Sequence, residues 1–336
     1  MPGPVFIVGS PRSGTTLLRM VLNTHPRIAM PHECDVVYTV MRSYPDPDAP
    51  LADLNEFVRL VSDVRRFHRV FGMSVGNLEA CCRASDRPTP AALLARIYRA
   101  SQGADPGDDS IVWGDKYILL GEYVAELARY FPPSRFIHLV RDARDSVASI
   151  RENFSAHRTP SGRFFATRSL VGAALLWRHM VDACDRDAGA LGPERSIAVR
   201  YEDLVRDVEP VTQRICEFIG VPFAPEMLEP ERRAAGKNAI PEDSAARYHA
   251  NVSKPLDSGL IGRGSRDLGR RDLAVIETIC GEPMRRHGYE TTGDGAQPGL
   301  AVRSRLVNYR VSAFLEDAGR RVARTVLPAR SADQDL

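Results

Sequence analysis

Residues 5–18 read VFIVGSPRSGTTLL, and this stretch decides the fold class. Its first part, Val5–Val8, is a continuous apolar run bounded by glycine, which is typical of a strand buried on both faces. The loop 9–14 follows, and apolar residues then recur at helical spacing from Thr15 to Leu22. A strand, a glycine-rich loop and a helix in this order predict an anion site, formed by loop N–H groups and the positive end of the helix.

The alternation of strands and helices continues along the chain. Apolar runs predict three further strands, at 111–113, 136–140 and 197–200. Helical patterns lie between them, at 116–130, 143–154, 168–190 and 207–219. This alternation predicts an α/β fold, with a P-loop-like parallel sheet that helices flank on both faces.

Three segments depart from this alternation. Residues 45–108 are punctuated by proline and helical in pattern, so we expect a helical insertion or cap over the site. Residues 291–300 have the composition of a linker, and 301–336 have the pattern of an amphipathic, arginine-rich helical extension. We therefore expect one domain over 1–290 and a possible homodimer contact through the extension.

Composition excludes several classes of function. The chain has 336 residues with 45 Lys+Arg against 43 Asp+Glu, so bulk binding to nucleic acid is not expected and any anion site is local. The six cysteines contain no CxxC pair and the histidines lack metal-ligand spacing, which predicts no metal and a reducing compartment. With neither a signal-peptide pattern nor a run of ~20 apolar residues, we expect a cytoplasmic protein without a transmembrane segment.

The loop 9–16 differs from the loop of nucleotide triphosphatases. A Walker A loop has Lys directly after its second Gly, where it reaches the β- and γ-phosphates. Here Thr15 has that place and the cation is Arg12, and none of the predicted strands ends in an Asp that would serve as a Walker B. We expect this loop to hold phosphate oxygens without a metal ion; a turn that binds no ligand is the alternative. Its candidate residues are Arg12, Ser13, Gly14, Thr15 and Thr16.

A second anion site is predicted where the strand 136–140 ends. Arg141 follows this strand directly, and Ser149 lies two turns into the next helix. An Arg at the carboxyl end of a parallel strand points to the crevice where open α/β sheets bind ligands, and it suits a phosphate. Taken alone, the run 141–146 is better interpreted as a solvated helix start with Asp145 as a favourable N-terminal charge.

Together, the stretches 9–18 and 140–149 resemble the 5′-phosphosulfate loop and the 3′-phosphate motif of the sulfotransferase family. Three further stretches agree with that family in order and kind. They are Pro31-His32-Glu33, then Tyr201–Leu204 leading to Glu217–Gly220, and finally Ser253-Lys254 through Ile261–Gly264 to His287–Tyr289. The resemblance is to the bacterial branch, which like the Golgi and tyrosylprotein branches uses a Glu base, and it covers 5–40, 111–150 and 196–290 in pieces.

The resemblance implies transfer of a sulfuryl group from 3′-phosphoadenosine 5′-phosphosulfate to a hydroxyl or amine, in line and without metal. It implies Glu33 as general base, with Arg12 and Lys116 as candidates to neutralise the departing phosphate oxygen. The implied nucleotide contacts are Arg12, Ser13, Gly14, Thr15, Thr16, Arg141, Ser149, Tyr201, Arg263 and Gly264. The expected acceptor is a small molecule, lipid or carbohydrate, and it is not identified further.

The chain departs from the family pattern at three places. Arg12 replaces the Lys of the cytosolic branch, Lys116-Tyr117-Ile118 keeps only the cation of a Lys-Thr-Pro-like element, and Gly264 stands where Trp is frequent. Two other functions remain open at this point, namely a P-loop kinase that uses ATP and a nucleotide-binding protein without catalysis. For single residues, the alternatives are a solvated loop carboxylate at Glu33 and a solvated helix-start lysine at Lys116.

Overall fold

The computed structural model describes residues 3–156, 169–230 and 258–291. Five parallel strands form a sheet in the order β2-β3-β1-β4-β5, which confirms the predicted α/β fold. The strands are β1 Val5–Val8, β2 Ile28–Ala29, β3 Val112–Asp115, β4 Arg135–Val140 and β5 Ser196–Arg200. Because all five are parallel, their carboxyl ends meet at one edge of the sheet, where open α/β folds bind ligands.

Helices connect the strands. In the first part of the chain they are α1 Thr15–Asn23, α2 Val36–Ser43, α3 Leu54–Ser62, α4 Phe67–Phe71, α5 Val75–Arg83, α6 Pro90–Ser101 and α7 Val124–Tyr130. Those that follow are α8 Ala143–Ala156, α9 Leu170–Gly189, α10 Tyr201–Arg206, α11 Val208–Ile219, α12 Arg263–Asp267 and α13 Arg270–Arg286. Short 3-10 turns lie at Ile118–Glu122, Pro225–Leu228 and Ser258–Leu260.

The central strand β1 is buried on both faces. Val5 and Ile7 pack into a core with α1 and α11, whereas Phe6 and Val8 pack into a second core with α2 to α7. Successive side chains of a strand point to opposite faces, so a strand covered by helices on both sides is apolar at every position. This double burial is the physical reason for the uninterrupted apolar run that opens the sequence.

The segment between β2 and β3 is built from short capped helices. Asp53, Ser74 and Thr89 each accept a hydrogen bond from a backbone N–H in the first turn of α3, α5 and α6. Such caps satisfy donors that a helix start leaves without an intrahelical partner. Residues 45–108 contain four helices and no strand. The role of this segment as a cap over the site stays a prediction.

One predicted helix begins later in the structure, and one short strand was not predicted. The helix expected over 116–130 begins only at Val124, after a 3-10 turn at Ile118–Glu122 that contains Gly121, a poor helix former. The edge strand β2 was not predicted, because its two residues are too short to form a pattern. The predicted linker and C-terminal extension, from residue 292 on, lie outside the described residues.

The described chain divides into two compact units. The first comprises residues 3–141, 182–230 and 258 and holds the whole sheet, and the second comprises 142–156, 169–181 and 259–291. Within the second unit, the Arg178 guanidinium donates to the Ile279 carbonyl at 2.8 Å, and the Cys280 thiol lies 3.3 Å from the Ala174 carbonyl. Across the described ranges, no helix is both long enough and apolar enough to cross a membrane.

Candidate active site

The loop after β1 is shaped to present backbone N–H groups. Its turn is closed by Ser13, whose amide and hydroxyl both donate to the Ser10 carbonyl, at 3.2 and 2.7 Å. Helix α1 then begins at Thr15, after Gly14 at the N-cap position, without a side-chain cap and without an acidic residue in its first turn. An uncapped helix start carries donors and a partial positive charge, so this loop suits an anion such as a phosphate.

Gly14 allows the loop to contact Tyr201, the first residue of α10. Its φ of 95° is left-handed, and a Cβ there would lie 2.4 Å from Cδ2 of the tyrosine ring. Tyr201 also contacts Arg141. The Cζ atom of Arg141 lies 4.3 Å from the centroid of the Tyr201 ring, which is close enough for a cation–π contact. Tyr201 therefore links the loop after β1 to the arginine after β4.

Lys116 follows β3 directly, and its Nζ contacts Oε1 of Glu33. The lysine side chain is 5% exposed and the glutamate 23% exposed, so the alternative of a solvated helix-start lysine is wrong. Burial lowers the pKa of Lys116, and the neighbouring Glu33 carboxylate partly offsets this effect. The structure thus brings together two of the three residues expected to be catalytic, from positions 83 apart in the chain.

A fully buried carboxyl, Asp115, lies next to this pair. Its Oδ2 accepts a hydrogen bond from the Tyr98 hydroxyl at 2.8 Å, and its Oδ1 accepts one from the Lys116 amide at 2.7 Å. Burial raises the pKa of Asp115 to about 7, although both hydrogen bonds act in the opposite direction. The sequence analysis did not predict Asp115 or Tyr98 as site residues. The available signal for Asp115 was its place at the end of an otherwise apolar strand, directly before a lysine.

Arg19 is a second buried charge near the pair that sequence reasoning missed. Arg19 lies in α1, and its side chain is fully buried. Its Nη1 donates to the Met30 carbonyl at 3.2 Å. Burial lowers the pKa of Arg19 to about 10, and the negative charge of Glu33 counters this shift. The negative charge of Glu33 therefore acts on two cations, Arg19 and Lys116.

In the second unit, the start of α8 is joined to the start of α12. The Asp145 carboxylate accepts hydrogen bonds from the amides of Gly262 and Gly264, at 2.9 and 2.7 Å. A Cβ at Gly264 would lie 2.3 Å from the Arg144 carbonyl, so only glycine permits this approach. Asp145 therefore does more than place a favourable charge at a helix start.

Arg263 and Ser149 also belong to the second unit. The Arg263 guanidinium is bound by two carboxylates, Glu152 at 3.0 Å and Asp267 at 2.8 Å. It lines a cavity of about 370 Å³ together with Ala148, Arg151, Glu152, Asp267 and Leu268. Ser149 lies on α8, partly exposed. The Ser253-Lys254 element lies outside the described residues.

A profile of the sulfotransferase family matches residues 4–225. The chain belongs to the sulfotransferase family. Two curated relatives of this chain are a protein-tyrosine sulfotransferase of Drosophila melanogaster, 28% identical, and protein-tyrosine sulfotransferase 2 of Gallus gallus, 24% identical. The matches cover 82% and 85% of this chain but 51% and 69% of those proteins, so the chain spans about half the length of the Drosophila enzyme.

Solved structures share the fold of this chain. The sulfotransferase domain from the Synechococcus PCC 7002 olefin synthase superimposes with a TM-score of 0.59 at 21% identity, and covers 86% of this chain and 97% of its own. The sulfotransferase domain from the curacin biosynthetic pathway gives the same TM-score and identity, with 87% and 99% covered. Both similarities extend the family assignment to the three-dimensional fold.

Proposed function

We propose that this sulfotransferase transfers the sulfuryl group of 3′-phosphoadenosine 5′-phosphosulfate to an acceptor hydroxyl or amine, with Glu33 as general base. The observation that carries the proposal is the contact between Glu33 and Lys116. Lys116 follows β3, and the anion-binding loop follows the adjacent strand β1, so both begin at the carboxyl edge of the sheet. A base and a cation at the same edge as a phosphate loop suit group transfer from a phosphorylated donor.

Each residue has a distinct task in this proposal. The bound donor supplies a sulfuryl group on a phosphate leaving group. Glu33 takes the proton of the acceptor, while Arg12 and Lys116 offset the negative charge that develops on the phosphate oxygen. Positioning and charge stabilisation of this kind suffice for such transfers, since no covalent enzyme intermediate is needed.

The nucleotide is proposed to bind along the same edge. The amides of Gly14, Thr15 and Thr16 suit the 5′-phosphate, because α1 starts without a capping side chain. Ser13, whose amide donates to the Ser10 carbonyl, stays a candidate from the family resemblance. Arg141 is 8% exposed and its Cζ lies 4.3 Å from the centroid of the Tyr201 ring; a buried guanidinium at this edge supports the proposal that Arg141 binds the 3′-phosphate. Ser149, Arg263 and Gly264 of the second unit stay candidates from the family resemblance.

Calorimetric binding of 3′-phosphoadenosine 5′-phosphate tests this proposal. We expect tighter binding than for ADP or ATP, unchanged by Mg²⁺, because Thr15 has the place of the Walker lysine and the 3′-phosphate adds a charge-assisted contact. Preference for ATP in the presence of Mg²⁺ would instead favour the kinase alternative. Binding without sulfuryl transfer to any of a tyrosyl peptide, a phenol, a sugar and a lipid alcohol would favour a non-catalytic protein.

Arg141→Ala is expected to weaken binding of 3′-phosphoadenosine 5′-phosphate by about 10- to 100-fold, the usual effect of losing a hydrogen bond between charged groups. Binding of ADP, which lacks the 3′-phosphate, should change by less than about threefold. The matched control is Arg135→Ala, at the opposite end of β4, where the guanidinium donates to the Ile219 carbonyl. Equal losses for both nucleotides would show that Arg141 does not bind the 3′-phosphate.

A further inference from the structure

Tyr98 connects the segment 45–108 to the residue beside the proposed catalytic pair. It lies in α6, is fully buried, and its hydroxyl donates to Asp115 at 2.8 Å. Its ring is held between two aromatic side chains, with centroids 4.8 Å from Trp113 and 5.0 Å from Phe71. The hydroxyl is therefore presented to Asp115 from a fixed position.

Asp115 transmits this position to Lys116 through the backbone. One carboxyl oxygen binds the Tyr98 hydroxyl and the other binds the Lys116 amide at 2.7 Å. The amide is held at the exact point where β3 ends and the lysine side chain turns toward Glu33. Two hydrogen bonds hold the buried Asp115 side chain in place, and they limit the movement of the next residue, Lys116.

We propose that Tyr98 and Asp115 are positioning residues that hold Lys116 against Glu33, so that helix α6 supports the reaction although it carries no catalytic group. This proposal rests on the proposed function for the role of Lys116, but the contact itself is independent of the donor. It also assigns the segment 45–108 a second task beside any contribution to the acceptor pocket.

The negative charge of Asp115 stabilises the protonated form of Lys116, in addition to the hydrogen bond that holds the Lys116 amide. An ionised Asp115 favours the protonated form of Lys116 and so raises the pKa of that amine. The Tyr98 hydrogen bond favours the ionised form of Asp115, since it lowers the pKa of the carboxyl against the effect of burial. The other charged and titratable groups that act on this cluster are Arg19, Glu33, Cys34 and Asp35.

Lysine NMR tests the contact directly, because the chain contains only three lysines, Lys116, Lys237 and Lys254. In protein labelled with ¹³C-lysine, the Lys116 signal is the one that Lys116→Arg removes. We expect its shift to respond to pH near 7 as Asp115 titrates, and to respond again at higher pH when the amine loses its proton. Asp115→Asn should abolish the first response and move the second to lower pH. Tyr98→Phe should move the first to higher pH.

The control is Tyr130→Phe, which removes another hydroxyl hydrogen bond of 2.8 Å, to the Tyr44 carbonyl, from the same hydrophobic core. It should leave the Lys116 titration unchanged. Tyr98→Phe should also lower kcat by about tenfold with the KM for the donor within about twofold, as expected for one lost hydrogen bond that acts on the reaction. Asp115→Asn keeps an oxygen for the Lys116 amide and should retain more activity than Asp115→Leu.

Different outcomes separate this inference from the proposed function. A Lys116 titration that is the same in wild type, Tyr98→Phe and Asp115→Asn would overturn the positioning role. So would equal losses of kcat in Tyr98→Phe and Tyr130→Phe. If Tyr98→Phe and Asp115→Asn alter the Lys116 titration but the wild-type protein does not bind 3′-phosphoadenosine 5′-phosphate, the positioning of Lys116 is supported and the proposed donor is overturned.

Discussion

Glu33→Gln is expected to lower kcat for sulfuryl transfer by about a thousandfold, within the 10²- to 10⁴-fold range that general bases contribute. Glutamine has nearly the same shape as glutamate, and its carbonyl oxygen can still accept a hydrogen bond from Lys116. It has no basic oxygen to take the proton of the acceptor. The geometry of the site is therefore preserved while the proposed chemical step is removed.

Labelled sulfuryl transfer in a single turnover measures this loss without interference from product release. Calorimetry with 3′-phosphoadenosine 5′-phosphate should give a dissociation constant within about twofold of wild type, because Glu33 has no assigned contact with the nucleotide. The control is Glu56→Gln, an exposed residue of α3, which should have wild-type kinetics. Full activity of Glu33→Gln would disprove its role as the base.

Lys116→Met is expected to lower kcat by about 10²- to 10³-fold, the usual loss when one preorganised electrostatic donor is removed. Methionine occupies most of the buried volume of lysine, so the change removes the charge and leaves little cavity. The donor KM should change much less than kcat, since the lysine is proposed to act on charge that develops during transfer.

The Lys116→Met variant is tested by two measurements: its single-turnover rate reports on transfer, and its thermal unfolding reports on stability. Removing the lysine leaves the half-buried Glu33 carboxylate with one cation fewer, so some loss of stability is expected as well. Lys237→Met is the control for replacing a lysine by methionine elsewhere in the chain. A Lys116→Met protein that is folded and transfers sulfuryl groups at the wild-type rate would contradict the proposed role.

The parts of the fold that were predicted correctly have strong local patterns. Strand β1 has the predicted bounds, because burial on both faces makes every residue apolar, and α1 follows it as expected. The late start of α7 was not predicted, since the 3-10 turn before it has the same apolar content as a helix. Local pattern identifies an element by its burial, and this signal is weak where the element is short or irregular.

The candidate site was predictable in its members more than in their contacts. Glu33, Lys116 and Arg12 were selected by residue type and family resemblance, but the pairing of Glu33 with Lys116 depends on β2 and β3 being neighbours in the sheet. The links from Tyr98 to Asp115 and from Asp145 to Gly262 join residues 17 and 117 positions apart. No periodicity in a single sequence encodes such distances.

The backbone of Arg12 has a consequence for how this protein responds to selection. Its φ of 66° lies in the left-handed region, which costs a residue with a side chain roughly 1–2 kcal/mol and costs glycine almost nothing. Glycine would therefore relieve the strain, but it would remove the guanidinium proposed to stabilise the leaving group. Stability and turnover impose opposite demands at this position, so a lineage under pressure for heat resistance has to find its gains elsewhere in the chain.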